Sequence, residues 1–295
     1  MSLLTTAAFC TSKKIDELDI IEITHPHFSA RLSLQGAQLL TFKPTNKTDF
    51  LWLSESVKYK SGQSLRGGIP ICWPWFGVVE KNSNEVKSAI HSEAAHGFAR
   101  TLQWQLHSLE ENVQGVKISL CLESNAETLK LWPFKFKLFA HFDFTHSMTL
   151  SLETVNTDSK NMCFTQALHT YFPTTDILAT SIKGLNNVSY TDALDQWQKK
   201  QQKGQVSFDE EVDRIYNSGG PFLLSSPQQN LVLETQNSQS TIVWNPWINK
   251  SKILSQFSHS DYLNMFCVES ANALEDIVRL KPNQSHSLVM TLSAP

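Results

Sequence analysis

The sequence predicts an all-β protein of antiparallel sheets packed as a sandwich, and three observations carry that prediction. Apolar residues recur with a period of two over most of the chain. Clusters of Asn, Asp, Gly, Ser and Pro punctuate those runs. Helical patterns are few and short, and they never alternate with strands as a parallel α/β sheet requires.

The strands follow in order. The stretch Ile21 to Leu34 alternates and then yields to a turn at Asn46-Lys47-Thr48-Asp49. Ile118, Leu120 and Leu122 share one face, with Ser119, Cys121 and Glu123 on the other. Leu138, Ala140, Phe142 and Phe144 alternate in the same way, as do Met148, Leu150 and Leu152. Further runs lie at Asn161 to Phe172, Leu231 to Thr235 and Ser287 to Ser293, separated by turn signals at Asn186-Asn187 and Ser218-Gly219-Gly220-Pro221. Threonine, phenylalanine and valine suit a pleated, half-buried surface. The exception is Asp192 to Gln202, which reads as one or two helical turns ending in a solvated Lys199-Lys200 face. Neither a repeat nor a Pro- or Ser-rich linker divides the chain. A single sandwich domain over residues 1–295 is expected, with residues 1–19 as an N-terminal extension.

Bulk properties narrow the partners. Of 295 residues, 41% are hydrophobic and 18% charged, enough apolar material for a large core. A net charge of -3 supplies no basic field for nucleic acid or an anionic membrane, so any anion must be held by a few placed cations. No stretch reaches the length of a membrane span. The segment before Cys10 lacks a positive start, its apolar run is short, and bulky Phe9 stands where a lipoprotein signal needs a small residue. Five scattered cysteines, an odd number, form neither a disulfide framework nor a zinc pattern, which points to a reducing cytoplasm.

The densest chemistry lies in R-G-G-I-P-I-C-W-P-W-F-G, Arg66 to Gly77, and H-G-F-A-R, His96 to Arg100. Each arginine stands beside glycine in aromatic surroundings. Glycine lets backbone turn tightly or approach a ligand, and the guanidinium fork suits phosphate or carboxylate oxygens. A buried turn with ion-paired arginines explains either segment alone; the two together favour an anion-reading site. Nucleotide-binding glycine motifs, H-E-x-x-H and G-x-S-x-G are missing. His91 and His96 share a loop, but without a third ligand they make a thin case for a metal.

Two ionisable residues stand on strand-like runs. Alternation places Cys163, Thr165, Ala167 and His169 on one face, where small neighbours leave room for a ligand. Met265, Cys267 and Glu269 share a face, with Phe266 and Val268 opposite, and a glutamate in so apolar a run is costly unless it is paired or has a task. Either residue alone is as well explained as a satisfied core group. Asp213 beside Arg214 reads as a local ion pair at a strand edge. V-W-N-P-W, with Trp244, reads as an aromatic turn serving as core or as a sugar platform.

Taken in order, R-G-G-I-P-I-C-W-P-W-F-G, A-H-G-F-A-R, A-L-H-T-Y-F, V-D-R-I-Y, V-W-N-P-W and C-V-E-S resemble the glucose-6-phosphate 1-epimerase (hexose-6-phosphate mutarotase) branch of the aldose 1-epimerase family, from about Ile20 to the C-terminus. The resemblance implies a galactose-mutarotase-like β-supersandwich with an open sugar cleft. It implies His169 and Glu269 as the catalytic pair and His96 as a contact near the reacting carbon. Arg66 and Arg100 are implied to hold phosphate or neighbouring hydroxyls, and Asp213 to bind a hydroxyl or orient an arginine. Trp244 joins the substrate-binding set as the sugar platform. Ala95 stands where some members carry Gln. The expected reaction is interconversion of α and β anomers of a hexose 6-phosphate, glucose 6-phosphate foremost. Glu269 acts as base and His169, charged at the outset, as acid; both are expected to titrate near neutrality, and no cofactor or metal is needed. The expected partner is a small sugar phosphate, and the expected state a monomer or weak dimer. An aldose 1-epimerase for unphosphorylated sugars and a non-catalytic carbohydrate-binding sandwich are the alternatives.

Overall fold

The computed structural model describes residues 4–295. Among the described residues the strands form sheets of nine, eight, four and two, and the strands within them pair antiparallel. Helices are confined to short pieces such as Asn84–Lys87, Ala126–Leu131 and Trp247–Ser251. Among the described residues no helix is long and apolar enough to cross a membrane.

The nine-stranded sheet contains the runs with the cleanest alternation. Phe136–Phe144 and Met148–Asn156 bury every second side chain, and Val116–Glu123, Asn230–Gln236 and Ser285–Ser293 flank them. Their inward residues, including Leu138, Phe142, Leu150 and Leu292, meet Leu168, Phe172, Val243, Phe266 and Val268 of the eight-stranded sheet in one large core. Each such fully buried aliphatic or aromatic side chain contributes roughly 1.5–3 kcal/mol of transfer free energy. Polar ties fix the two sheets against each other: the Thr170 hydroxyl donates to Met290 Sδ at 3.3 Å, and Thr235 and Ser270 share a 2.7 Å hydrogen bond.

The eight-stranded sheet has a second clothed face. Cys72, Ala167, Tyr171, Ile242, Trp244, Met265 and Cys267 form a smaller cluster there, on the side away from the main core. Its central strand, Met265–Asn272, is buried at every residue. That strand has apolar neighbours on both faces, and its first four residues, Met265 to Val268, are all apolar.

Three local expectations are corrected. Asp192 to Gln202 is not helical: Ser189–Asp192 and Gln198–Gln201 make a hairpin at the sheet edge. Lys200 bonds Asp192 at 2.8 Å and Asp195 at the same distance. Lysine and glutamine favour helices in isolation, but an edge strand also carries charge to repel further pairing, and the tertiary demand wins. The V-W-N-P-W segment is not wholly a turn, since Trp244 lies within the strand Ser240–Asn245 and the chain leaves the sheet only at Pro246. The run from Asn161 is cut into Met162–Phe164, Gln166–Leu168 and Tyr171–Pro173.

Candidate active site

The second of these interruptions builds the site. Leu168 pairs with Ser270, and Tyr171 with Cys267. The register is the same on both sides of the break, so His169 stands directly opposite Glu269. On its other side His169 N–H donates to Pro70 O at 3.0 Å, and Tyr171 N–H to Gly68 O at 2.9 Å. The R-G-G-I-P-I-C segment is therefore the strand neighbour of the histidine. Pro70, with no N–H of its own, loosens pairing where the imidazole must turn out of the sheet. Gly68 has a φ of +62°, and a Cβ there would run into the Leu39 carbonyl, so only glycine lets Arg66 leave this crowded crossing.

His169 Nε2 lies 3.4 Å from Glu269 Oε1, with the two side chains 12% and 2% exposed. His169 Nδ1 and Glu269 Oε2 are buried and have no hydrogen-bond partner among the described residues. Two unpaired polar atoms in one buried pair are costly to a fold and fit a ligand's hydroxyls. Tyr171 stacks on the imidazole at 4.9 Å with 10° between planes, and Trp244 meets it edge-on at 5.9 Å.

The pair lies in a cleft of about 400 Å³. Cross-strand register aligns Asp213, Trp244, Cys267 and Tyr171 in one row across the sheet, with Ile242 and Glu269 in the next. All seven residues singled out in the sequence, Arg66, His96, Arg100, His169, Asp213, Trp244 and Glu269, line this one cleft. The structure adds Tyr171 and Lys250. Arg66 donates to Tyr171 Oη at 3.1 Å and to Ser255 O at 3.3 Å. Arg100 folds back to donate to Ala95 O at 3.0 Å, so Ala95 contributes its backbone here. His96 adopts a left-handed φ of +65° and is clamped to Gly77: its N–H donates to Gly77 O at 2.9 Å, and its Nδ1 accepts from Gly77 N–H at 3.3 Å. His91 is exposed, beside Lys130 O, and among the described residues no three His, Cys, Asp or Glu come together to hold a metal ion.

Electrostatics redistribute the proton expected on His169. Burial first, and then His96, Arg100 and Arg66, push its proton affinity well below the usual 6.5. Burial, reinforced by Asp213, raises the Glu269 carboxyl well above the usual 4.5 against the opposing pull of Arg100. In the open cleft the shared proton therefore favours Glu269, with His169 neutral. The ordinary values of 4.5 and 6.5 are thus moved in opposite directions, the carboxyl up and the imidazole down. His96 is lowered to about 3 by burial and by both arginines, and its Nδ1, already an acceptor, keeps the remaining proton on Nε2. Half-buried Asp213 is raised by desolvation, with Lys250 opposing.

Comparison with known proteins places this geometry. The family model described as aldose 1-epimerase matches residues 19–293. A protein of Escherichia coli (strain K12), provisionally named glucose-6-phosphate 1-epimerase, is 34% identical over 277 residues, 93% of this chain and 90% of its own. The crystal structure of a provisionally named mutarotase from Salmonella typhimurium superposes with a TM-score of 0.88 at 28% identity, over 98% of this chain and 94% of the other. A galactose mutarotase-like protein of Lactobacillus casei shares the fold alone, at a TM-score of 0.74 and 16% identity over 94% of this chain and all of the other.

Proposed function

Because the chain belongs to the aldose 1-epimerase family, we propose that its cleft interconverts the α and β anomers of a hexose 6-phosphate, glucose 6-phosphate foremost. The observation that carries this is the buried His169–Glu269 pair, 3.4 Å apart with one unpartnered atom on each residue, in a cleft that Arg66 and Arg100 also line. Relatives provisionally named glucose-6-phosphate 1-epimerase support the phosphorylated substrate.

Anomer exchange requires the ring to open and reclose. A base removes the proton of the anomeric hydroxyl, the bond from that carbon to the ring oxygen breaks, and an acid protonates the ring oxygen. The aldehyde end then turns, and the reverse transfers close the ring on its other face. Glu269 takes the hydroxyl proton and His169 delivers one to the ring oxygen. The pair must hold one proton at the start, and it must be on His169 when the base acts. In the open cleft that proton favours Glu269. Arg66 and Arg100 add to the burial that suppresses the imidazolium, and a phosphate dianion bound between them offsets their share; because Arg100 lowers Glu269 as well, the phosphate tips the balance toward His169 through Arg66. Positioned proton transfer contributes roughly 10²–10⁴-fold, enough to outrun a spontaneous reaction of moderate rate. Trp244 offers an apolar wall, His96 donates from Nε2 near the reacting carbon, and Asp213 accepts a sugar hydroxyl. The reading takes the chain as one functional domain whose ligand is a small sugar phosphate.

The test is anomer-exchange NMR with glucose 6-phosphate and glucose in parallel. Faster exchange of the phosphorylated sugar supports the reading. Preference for free glucose assigns an aldose 1-epimerase, and binding without faster exchange assigns a carbohydrate-binding module.

A further inference from the structure

Lys250 lines the cleft, and it is not a loose surface lysine. It rides on the short helix Trp247–Ser251, which the end of the Ser240–Asn245 strand staples in place. Asn245 Nδ2 donates to Tyr262 O and Met265 O, both at 2.9 Å, while its Oδ1 accepts from Trp247 N–H at 2.9 Å. Ser251 closes the helix by donating to Ile248 O at 2.9 Å and His259 O at 3.2 Å. The ammonium so placed lies 3.4 Å from Asp213 Oδ2 and 3.4 Å from Glu211 Oε1, and 5.9 Å from the centre of the Trp244 ring.

We propose that Lys250 is a positioning residue of the cleft: bridging Glu211 and Asp213, it holds the Asp213 carboxylate ionised and aimed so that it accepts a hydrogen bond from a sugar hydroxyl. This deepens the reading of the cleft as a sugar site and rests on it. The groups that face Asp213 explain why a cation is needed. Burial, Glu211 two residues before it and Asp192 on the neighbouring strand favour a protonated Asp213, against which Lys250 acts; Glu269 and Cys267, on the central strand, are themselves raised by Asp213. Asp192 is itself occupied by Lys200 at 2.8 Å. A protonated Asp213 has a donor where the sugar needs an acceptor, and it loses the contact that fixes its orientation.

The experiment compares wild type, Lys250→Met, Lys250→Arg, Asp213→Asn and the double variant Lys250→Met/Asp213→Asn. Exchange kinetics are measured for glucose 6-phosphate and for glucose from pH 5.5 to 9. Lys250→Met is expected to raise KM about ten-fold for both sugars near neutrality and to change kcat less than about three-fold. The KM penalty shrinks as pH rises, because Asp213 then ionises without help. Lys250→Arg restores most of the affinity, and the double variant is no worse than Asp213→Asn alone. An unchanged KM, independent multiplicative losses, or a penalty confined to the phosphorylated sugar, which would make Lys250 a phosphate ligand, overturns the proposal. A second readout needs no turnover: carbon-13 titration of the Asp213 carboxyl should move upward in Lys250→Met relative to wild type. Coincident curves overturn the proposal even if neither sugar is exchanged, whereas failure of wild type to exchange either sugar removes the catalytic reading instead.

Discussion

Replacing Glu269 by glutamine probes the centre of the reasoning with little change in shape. The side chain is 2% exposed on a strand buried at every residue, so a truncation would mix a cavity with lost chemistry. Glutamine keeps the volume and removes the proton. If Glu269 is the base 3.4 Å from its acid partner, kcat for fresh α-glucose 6-phosphate should fall by about 10²–10⁴-fold, or about 2.7–5.5 kcal/mol of barrier, with KM within about three-fold. Polarimetry at neutral pH, with the spontaneous drift subtracted, reads this directly. Stability should move the other way. The folded carboxyl binds its proton more tightly than the unfolded one, so the wild type loses stability as pH rises above the unfolded value, by up to about 1.4 kcal/mol per pH unit until the folded group also ionises. Glutamine has no such slope, and its denaturation midpoint relative to wild type should therefore climb from pH 5 to pH 8. A near-normal rate removes Glu269 from the chemistry; a normal rate with the stability gain makes it a buried structural acid.

His169→Ala should cost a similar factor in kcat, and full activity would transfer the acid role to His96. Arg66→Ala or Arg100→Ala should raise KM for glucose 6-phosphate by about 10–100-fold while leaving free glucose nearly unaffected, because a charge-assisted bond to phosphate contributes about 1.5–3 kcal/mol; equal effects on both sugars would refute the phosphate assignment. His96, lowered to about 3, binds its proton less tightly folded than unfolded, so stability is full above the ordinary 6.5 and falls with pH below it, by up to about 2 kcal/mol at pH 5. Urea denaturation of His96→Gln should show a flatter acid limb, and an identical limb contradicts the burial argument. Gly97→Ala should destabilise by about 2 kcal/mol or more in thermal denaturation, since φ is +67° and the new Cβ would collide with the Trp73 carbonyl; Gly77, with the same φ and open space around it, is the milder control.

The sheets were legible because one face of each long strand buries its side chains: Phe136–Phe144 and Met148–Asn156 carry the alternation almost without error. The faces assigned around Glu269 also hold, with Cys267 and Met265 in the smaller cluster and Phe266 and Val268 in the main core. Short strands in the middle of the fold were harder. Around His169 the chain is buried on both faces and broken twice, so periodicity says little about where it pairs. Tyr171 passed unremarked because it reads as one more core aromatic, although its position two residues after His169 was a usable signal. Lys250 gave none, since its meaning comes from Glu211 and Asp213, which lie far from it in sequence. The proton's place on Glu269 depends on burial and on two arginines brought in from elsewhere, which no local pattern encodes.

The two halves of the cleft are attached to the molecule in different ways. Glu269 belongs to a strand with no exposed residue, whose neighbours support both cores. Arg66 and Arg100 lie outside the regular strands, held by bonds to Tyr171, Ser255 and Ala95. Change in size or shape at the His169–Glu269 pair therefore reaches packing that both cores share, whereas change at the arginines acts mainly on the choice of ligand. Divergence within such a scaffold should run along its rim: descendants can exchange one sugar for another by small steps, while the ring-opening chemistry is inherited whole or lost.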